Sequence, residues 1–286
     1  MTDWKLLILE NDEGSKELGD FFEKIWSDGI IKKNIGNVWL EDTDSNARTM
    51  QKLVGGLEGK ILTLYGGGSF HHYTYGLCYA IAHKRSDNYM YAHIDNHTDS
   101  IYRENGIIKC GSFVENISEE PEANDILLIG AGKGENPKER KVISQKDLIS
   151  KQAKDIVRKE LKKRPQKDVY TSLDLDILTY DDISTDFTQG ILELKHLLKV
   201  IEVLKEEKNI ISADILGYRG IKPASRYGSL RATYPINLLT YAILAAKITG
   251  KDTKELEGLR KYFNKEDSNP RDVGEEFRKI TEQLKI

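Results

Sequence analysis

Residues 89–99 read Tyr-Met-Tyr-Ala-His-Ile-Asp-Asn-His-Thr-Asp. Asp95, His97 and Asp99 alternate along the chain, so in an extended backbone their side chains leave the same side and converge. Two carboxylates and an imidazole packed together repel and desolvate one another unless a cation lies between them. The aromatic and branched residues 89–95 predict a buried strand. The ionisable groups therefore stand just past its carboxyl end, where open α/β sheets bind ligands. The segment predicts half of a metal site.

A second stretch, Thr171-Ser172-Leu173-Asp174-Leu175-Asp176, again puts alternating carboxylates at the end of an apolar strand. A third, Gly66-Gly67-Gly68-Ser69-Phe70-His71-His72, ends a strand in glycines that permit tight turning and then presents histidine. Together these nominate His71, Asp95, His97, Asp99, Asp174 and Asp176. Such an oxygen-rich set suits Mn²⁺ better than structural zinc, and four carboxylates carry more charge than one divalent ion needs, so a pair of ions is expected. The glycine run has neither the spacing of a dinucleotide fingerprint nor a P-loop lysine, which argues against a phosphate loop. His72 is read as lying around the site or at the surface, and His83, His93 and His196 as structural or solvated, since a lone histidine carries little signal.

These groups need a scaffold, and the chain alternates strand-like and helix-like segments. Strands are predicted over 5–9, 37–40, 60–65, 89–95, 125–129, 169–174 and 210–216. Helices are predicted after Asn11-Asp12-Glu13-Gly14 through Leu18, Phe21, Phe22 and Ile25, and over 44–53, 72–84, 193–205 and 237–248. Another opens at a Ser144/Asp147 capping pair and runs to about residue 161. A glycine-bearing turn follows the fifth strand at 130–134. This rhythm predicts an α/β fold of three layers, α-β-α, around a mainly parallel sheet.

At 286 residues the chain is near the upper limit for one core, so residues 1–286 are expected to form a single domain with a charged helical C-terminal tail from about 251. The tail could cover the body or a neighbouring subunit, so a homo-oligomer stays open. Charged residues are 31% of the chain, but the net charge is only -3, which gives no electrostatic reason to expect nucleic acid or an anionic membrane. With no apolar run long enough to span a bilayer and no signal-peptide pattern, a cytoplasmic protein is expected. Cys78 and Cys110 are too few for a disulfide framework.

The order of the three stretches, a glycine turn with histidine, then DxHxD, then SxDxD, resembles the ureohydrolase superfamily of arginases, agmatinases and formiminoglutamases. The resemblance spans residues 66–217, although Phe70 stands where an aspartate usually precedes the histidine. It implies that one ion takes His71, Asp95, Asp99 and Asp174 and the other His97, Asp95, Asp174 and Asp176, with Asp95 and Asp174 bridging. It further implies a metal-activated water that attacks the amidino carbon of a small-molecule or side-chain substrate, with Asp176 handling the water's proton.

Two departures bear on chemistry. Cys110 stands where relatives carry a proton-shuttling histidine, and it is read either as a weaker shuttle or as an inert thiol. Gly217 replaces a guanidinium-binding glutamate, which turns attention to Tyr218 and Arg219 as lining of an altered pocket. Three functions are therefore carried: an amidino or guanidino hydrolase, a deacetylase-like amidohydrolase acting on an acylamino group, and a metal-containing relative without catalysis.

Overall fold

The computed structural model describes residues 4–251 except 27–28, 37–40, 44–49, 51, 83, 85, 87, 102–105, 124, 133–135, 137, 219 and 221–233. Its strands are β1 (Trp4–Glu10), β2 (Ile30–Asn34), β3 (Glu41–Thr43), β4 (Lys60–Leu64), β5 (Tyr89–Ile94), β6 (Ile107–Lys109), β7 (Asp125–Gly130), β8 (Val142–Ser144), β9 (Asp168–Asp174) and β10 (Asn209–Leu216). Eight form one sheet in the order β2-β1-β4-β10-β9-β5-β7-β8, and every pairing in it is parallel. The other two, β3 and β6, make a small antiparallel pair.

The main sheet is covered on both faces, as a parallel sheet must be if its crossover helices are to bury its apolar runs. One face packs under α1 (Glu13–Ile25), α5 (Ala153–Lys162), α6 (Leu194–Glu207) and α7 (Tyr234–Thr249). The other packs under α2 (Tyr73–Leu77), the π turn Cys78–Ala82 and α3 (Phe113–Ile117). The α1 stripe Leu18, Phe21, Phe22 and Ile25 is buried as its spacing predicts. This is the expected three-layer α/β arrangement. No helix among the described residues is long and apolar enough to cross a membrane.

Several local expectations shift. The helix predicted from Ser144 to about 161 is two helices, α4 (Gln145–Ile149) and α5, because Ser150 turns extended at φ -65°, ψ 159°. The Ser144/Asp147 capping box itself forms, with Asp147 N–H donating to Ser144 Oγ at 3.2 Å and Ser144 N–H to Asp147 Oδ2 at 3.1 Å. The helix predicted over 72–84 starts as α2 and passes into the π turn. β2 has no counterpart among the predicted strands: its lysines hide the strand signal, and they suit an edge, where Lys32 meets Glu10, Asp20 and Glu23. The strand expected over 37–40, most of the helix over 44–53 and the tail after 251 lie outside the described residues.

Candidate metal centre

β4, β10, β9 and β5 are consecutive in the sheet, so the segments leaving their carboxyl ends meet in one place. After β4 the chain turns through Gly66 to Gly68 into a short 3-10 segment, Gly68–Phe70, that delivers His71. A Cβ on Gly68 would stand 2.9 Å from Asp174 Oδ2 and 2.7 Å from the Phe187 ring, so glycine is what lets this backbone approach the site. Asp186 pins the turn by accepting from Gly68 N–H and Ser69 Oγ, each at 3.0 Å.

The six nominated side chains come together. His71 Nδ1 lies 2.9 Å from Asp99 Oδ2, 3.2 Å from Asp95 Oδ2 and 3.5 Å from Asp174 Oδ2. His97 Nδ1 lies 2.8 Å from Asp176 Oδ2 and 3.5 Å from Asp95 Oδ1. Asp95 thus turns one oxygen toward each imidazole. Backbone donors hold the carboxylates in place: His97 N–H donates to Asp95 Oδ1 at 2.6 Å, Asp176 N–H to Asp174 Oδ1 at 2.9 Å and Asn96 N–H to Asp176 Oδ1 at 3.2 Å. Asp99 adopts a left-handed backbone, φ 45°, a cost that concentrates at functional sites.

His71 Nδ1 and Asp176 Oδ2 are buried yet have no partner in hydrogen-bonding geometry, although carboxylate and imidazole atoms stand close by. Donors gathered about 2.0 to 2.2 Å from a shared ion stand about 2.8 to 3.6 Å from one another. The separations above fall in that window, so these residues fit a cation. Two groups of potential ligands emerge, His71 with His93 and Asp95, and Asp95 with His97 and Asp176, sharing Asp95.

His93, read as structural or solvated, is fully buried: it stacks on His71 with ring centroids 5.2 Å apart and brings Nε2 to 3.3 Å from Asp95 Oδ2. The signal was available, since 93, 95, 97 and 99 continue one alternation.

The charges are strongly interdependent. Burial, then repulsion by Asp176 and Asp95, pushes the Asp174 carboxyl well above its usual range, and burial with the charge of Asp95 pushes Asp176 up to about 8. Burial alone would raise Asp95 too, but contacts with His71, His93 and His97 hold it well below the ordinary carboxylate range. Burial opposes charge on His97, but Asp176 and Asp95 outweigh it and raise the imidazole to about 11. In such a cluster, bound protons offset the gathered negative charge.

A ring of residues behind the site was not read from the sequence. His71 Nε2 meets Ser172 Oγ at 2.9 Å, and Ser172 Oγ donates to Asp214 Oδ1 at 2.6 Å. Asp214 Oδ2 accepts from Tyr170 OH at 2.6 Å and Thr74 Oγ1 at 3.2 Å. The hint was a wholly buried carboxylate inside an apolar strand, and the β9/β10 register sets Asp214 beside Ser172.

In front lies a cavity of about 730 Å³, walled by the cluster together with Glu41, Ile101, Lys109, Cys110, Gly111 and Phe187. Cys110 lines it, and burial followed by the charge of Asp99 pushes its thiol up to about 12, so it stays protonated near neutrality. Gly217 and Tyr218 are not on this wall. Gly217 abuts Asp174 instead, and the Tyr218 ring is buried in the core with its hydroxyl donating to Glu17 Oε2 at 2.7 Å. Arg219 lies outside the described residues.

An all-parallel sheet between helical layers, with carboxylates and imidazoles at the carboxyl ends of its central strands, defines the arginase-like class of α/β proteins. The chain belongs to the arginase family, whose sequence model matches residues 23–222. Among solved structures it is similar to arginase from Bacillus cereus at 18% identity and TM-score 0.64, covering 87% of this chain and 99% of that one. It is similar to proclavaminate amidino hydrolase from Streptomyces clavuligerus at 16% identity and TM-score 0.60, covering 91% and 93%. A hypothetical agmatinase from Burkholderia thailandensis aligns at 15% identity and TM-score 0.61, covering 85% and 86%. No curated protein sequence matches the chain. At these identities the structural likeness establishes the fold.

Proposed function

We propose that this chain is a hydrolase that cleaves a C–N bond of an amidino or guanidino compound with a pair of divalent ions, preferentially Mn²⁺. The observation that supports the reading is the convergence of buried imidazole and carboxylate atoms, His71 Nδ1 and Asp176 Oδ2 among them, in two donor groups that share Asp95. One ion would be held by His71, Asp95, Asp99 and Asp174, the other by His97, Asp95, Asp174 and Asp176. When bound, the ions supply Lewis acidity, making water nucleophilic near neutral pH and offsetting negative charge on the attacked group.

The protein's own groups do the rest. Asp176, held by Asn96 N–H, is positioned to take and pass on the proton of the attacking water. Cys110 faces the same cavity with its proton in place, so it would not act as a base, and a thiol that holds its proton so tightly is a poor donor to the departing amine. Among the described residues, Glu41 is the carboxylate on the wall outside the cluster, and it stands 3.7 Å from Lys109 Nζ. It would offer a cationic substrate the partner that Gly217 cannot. The names arginase, agmatinase and amidino hydrolase borne by the similar structures support an amidino substrate class.

The apolar stretch of wall at Ile101, Gly111 and Phe187 favours a second reading, a neutral acylamino substrate. One experiment separates them: the Mn²⁺-loaded protein is screened against guanidino, amidino and acylamino compounds for released urea, ammonia, amine or acid. Turnover confined to acylamino compounds, or none with any class, would reject the first reading.

A further inference from the structure

We propose that Arg140 is a positioning residue for this centre: acting through the Ser100 hydroxyl, it latches the loop that carries Asp99 and so sustains the ion position of His71, Asp95 and Asp99. The inference rests on the dinuclear reading above. It concerns two side chains, Arg140 and Ser100, that lie off the cavity wall.

Among the four carboxylates, Asp99 is the one farthest from regular structure. Asp95 follows β5 directly, Asp174 closes β9 and Asp176 sits in the 3-10 turn Leu175–Ile177, whereas Asp99 hangs in the loop beyond β5 with φ 45°. A non-glycine backbone in that region persists only where its surroundings over-determine it. Here they do. Val114 N–H donates to Asp99 O at 3.2 Å and Ile101 N–H to Gly111 O at 2.9 Å. Between them the fully buried Ser100 gives its one hydroxyl proton to Thr98 O at 2.9 Å and accepts from Arg140 Nη1 at 3.1 Å.

Arg140 reaches this loop from the segment between β7 and β8, where Asn136 brackets it by accepting from its N–H at 2.9 Å and donating to its carbonyl at 2.8 Å. Its guanidinium also pairs with Glu115 of α3, and the two side chains are only 7% and 9% exposed. A buried ion pair roughly breaks even in stability, because desolvating both charges offsets their attraction. What it supplies here is geometry. The two protons of Nη1 leave in fixed directions, one to the carboxylate on α3 and one to the loop hydroxyl, so three separate segments are joined at one nitrogen.

The latch is one-sided. α3 also sets Phe113 against His71, with ring centroids 4.5 Å apart, so it supports both His71 and Asp99. Asp176, on the other ion position, is held instead by Asn96 N–H.

The test uses the full chain, stripped of metal and titrated with Mn²⁺ against a chelator, with electron paramagnetic resonance to tell paired from single ions. Ser100→Ala cuts the link while leaving the ion pair whole, and Arg140→Met with Glu115→Gln removes the latch without stranding a buried charge. Each should split the two affinities, one ion held as in the unmodified protein and the other at least about tenfold more weakly, so that a single-ion spectrum appears at intermediate Mn²⁺. Adding Ser172→Ala to Ser100→Ala should still leave one ion tightly held, since both changes fall on the His71 position. Unchanged affinities, equal losses at both positions, or two weakened ions in that double variant would overturn the role of Arg140 while leaving the dinuclear reading intact. An unmodified protein that does not take up two Mn²⁺ would overturn both.

Discussion

His71 and Asp214 are joined through one hydroxyl: Ser172 Oγ stands 2.9 Å from His71 Nε2 and donates to Asp214 Oδ1 at 2.6 Å. A fully buried carboxylate on β10 thereby orients an imidazole delivered by the turn after β4. Removing the hydroxyl frees the ring and lowers its basicity. Ser172→Ala should weaken binding at one ion position by about 10–100-fold and leave the other nearly unchanged. Chelator competition measures this, and equal affinities at both positions in the variant would reduce the network to a packing role.

Asp95 faces both imidazoles, 3.2 Å from His71 Nδ1 through Oδ2 and 3.5 Å from His97 Nδ1 through Oδ1. Asp95→Ala or Asp174→Ala should therefore empty both positions, whereas His97→Ala should mainly empty one. Bound ions stabilise the folded state by mass action, so the aspartate variants should also lose any Mn²⁺-dependent rise in Tm. Full metal content in Asp174→Ala would contradict the bridging assignment.

The pH dependence of the metal-free protein follows from Asp176. Burial and the charge of Asp95 raise its carboxyl from 3.8 to about 8. A carboxyl raised on folding contributes stability that is complete below its unfolded value and disappears as pH rises through its folded value. Metal-free Asp176→Asn, which cannot ionise there, should match the unmodified protein near pH 4 and exceed it in Tm by several degrees at pH 8. Thermal melts in chelator across that range decide it, and a constant difference would contradict the shift.

Glu41 offers the cavity a negative charge outside the ligand cluster. If the substrate is cationic, Glu41→Gln should raise KM by about two- to fivefold, with little change in kcat, because an exposed partner contributes to binding and not to the reacting centre. A neutral substrate should show no such change. Steady-state kinetics on whichever compound is turned over makes the comparison.

Gly217 has φ +113°, and a Cβ there would come within 3.0 Å of Asp174 Oδ1. Gly217→Ala should cost about 1–3 kcal/mol of stability through backbone strain alone. Denaturant unfolding gives the value. Gly217→Glu would carry the same strain beside a ligand, so restored guanidinium binding should not follow simply from replacing the missing carboxylate.

The alternation of strands and helices and the spacing Asp95-x-His97-x-Asp99 and Asp174-x-Asp176 were legible in the sequence because both are local. A period of two fixes which side chains share a side, and burial on both faces makes parallel strands read as apolar runs. The π turn after α2 and the break between α4 and α5 were not legible, since neither breaks the hydrophobic pattern. Which strands lie side by side was decided only by the tertiary structure. The order β4-β10-β9-β5 brings together His71, Asp95 and Asp174 from distant parts of the chain and sets Asp214 beside Ser172. His93 shows the boundary best. Its place in the alternation was in the sequence, but a lone histidine in a strand is as readily a core residue as a ligand. Only the packing of Phe113 and His71 around its ring set its Nε2 3.3 Å from Asp95 Oδ2.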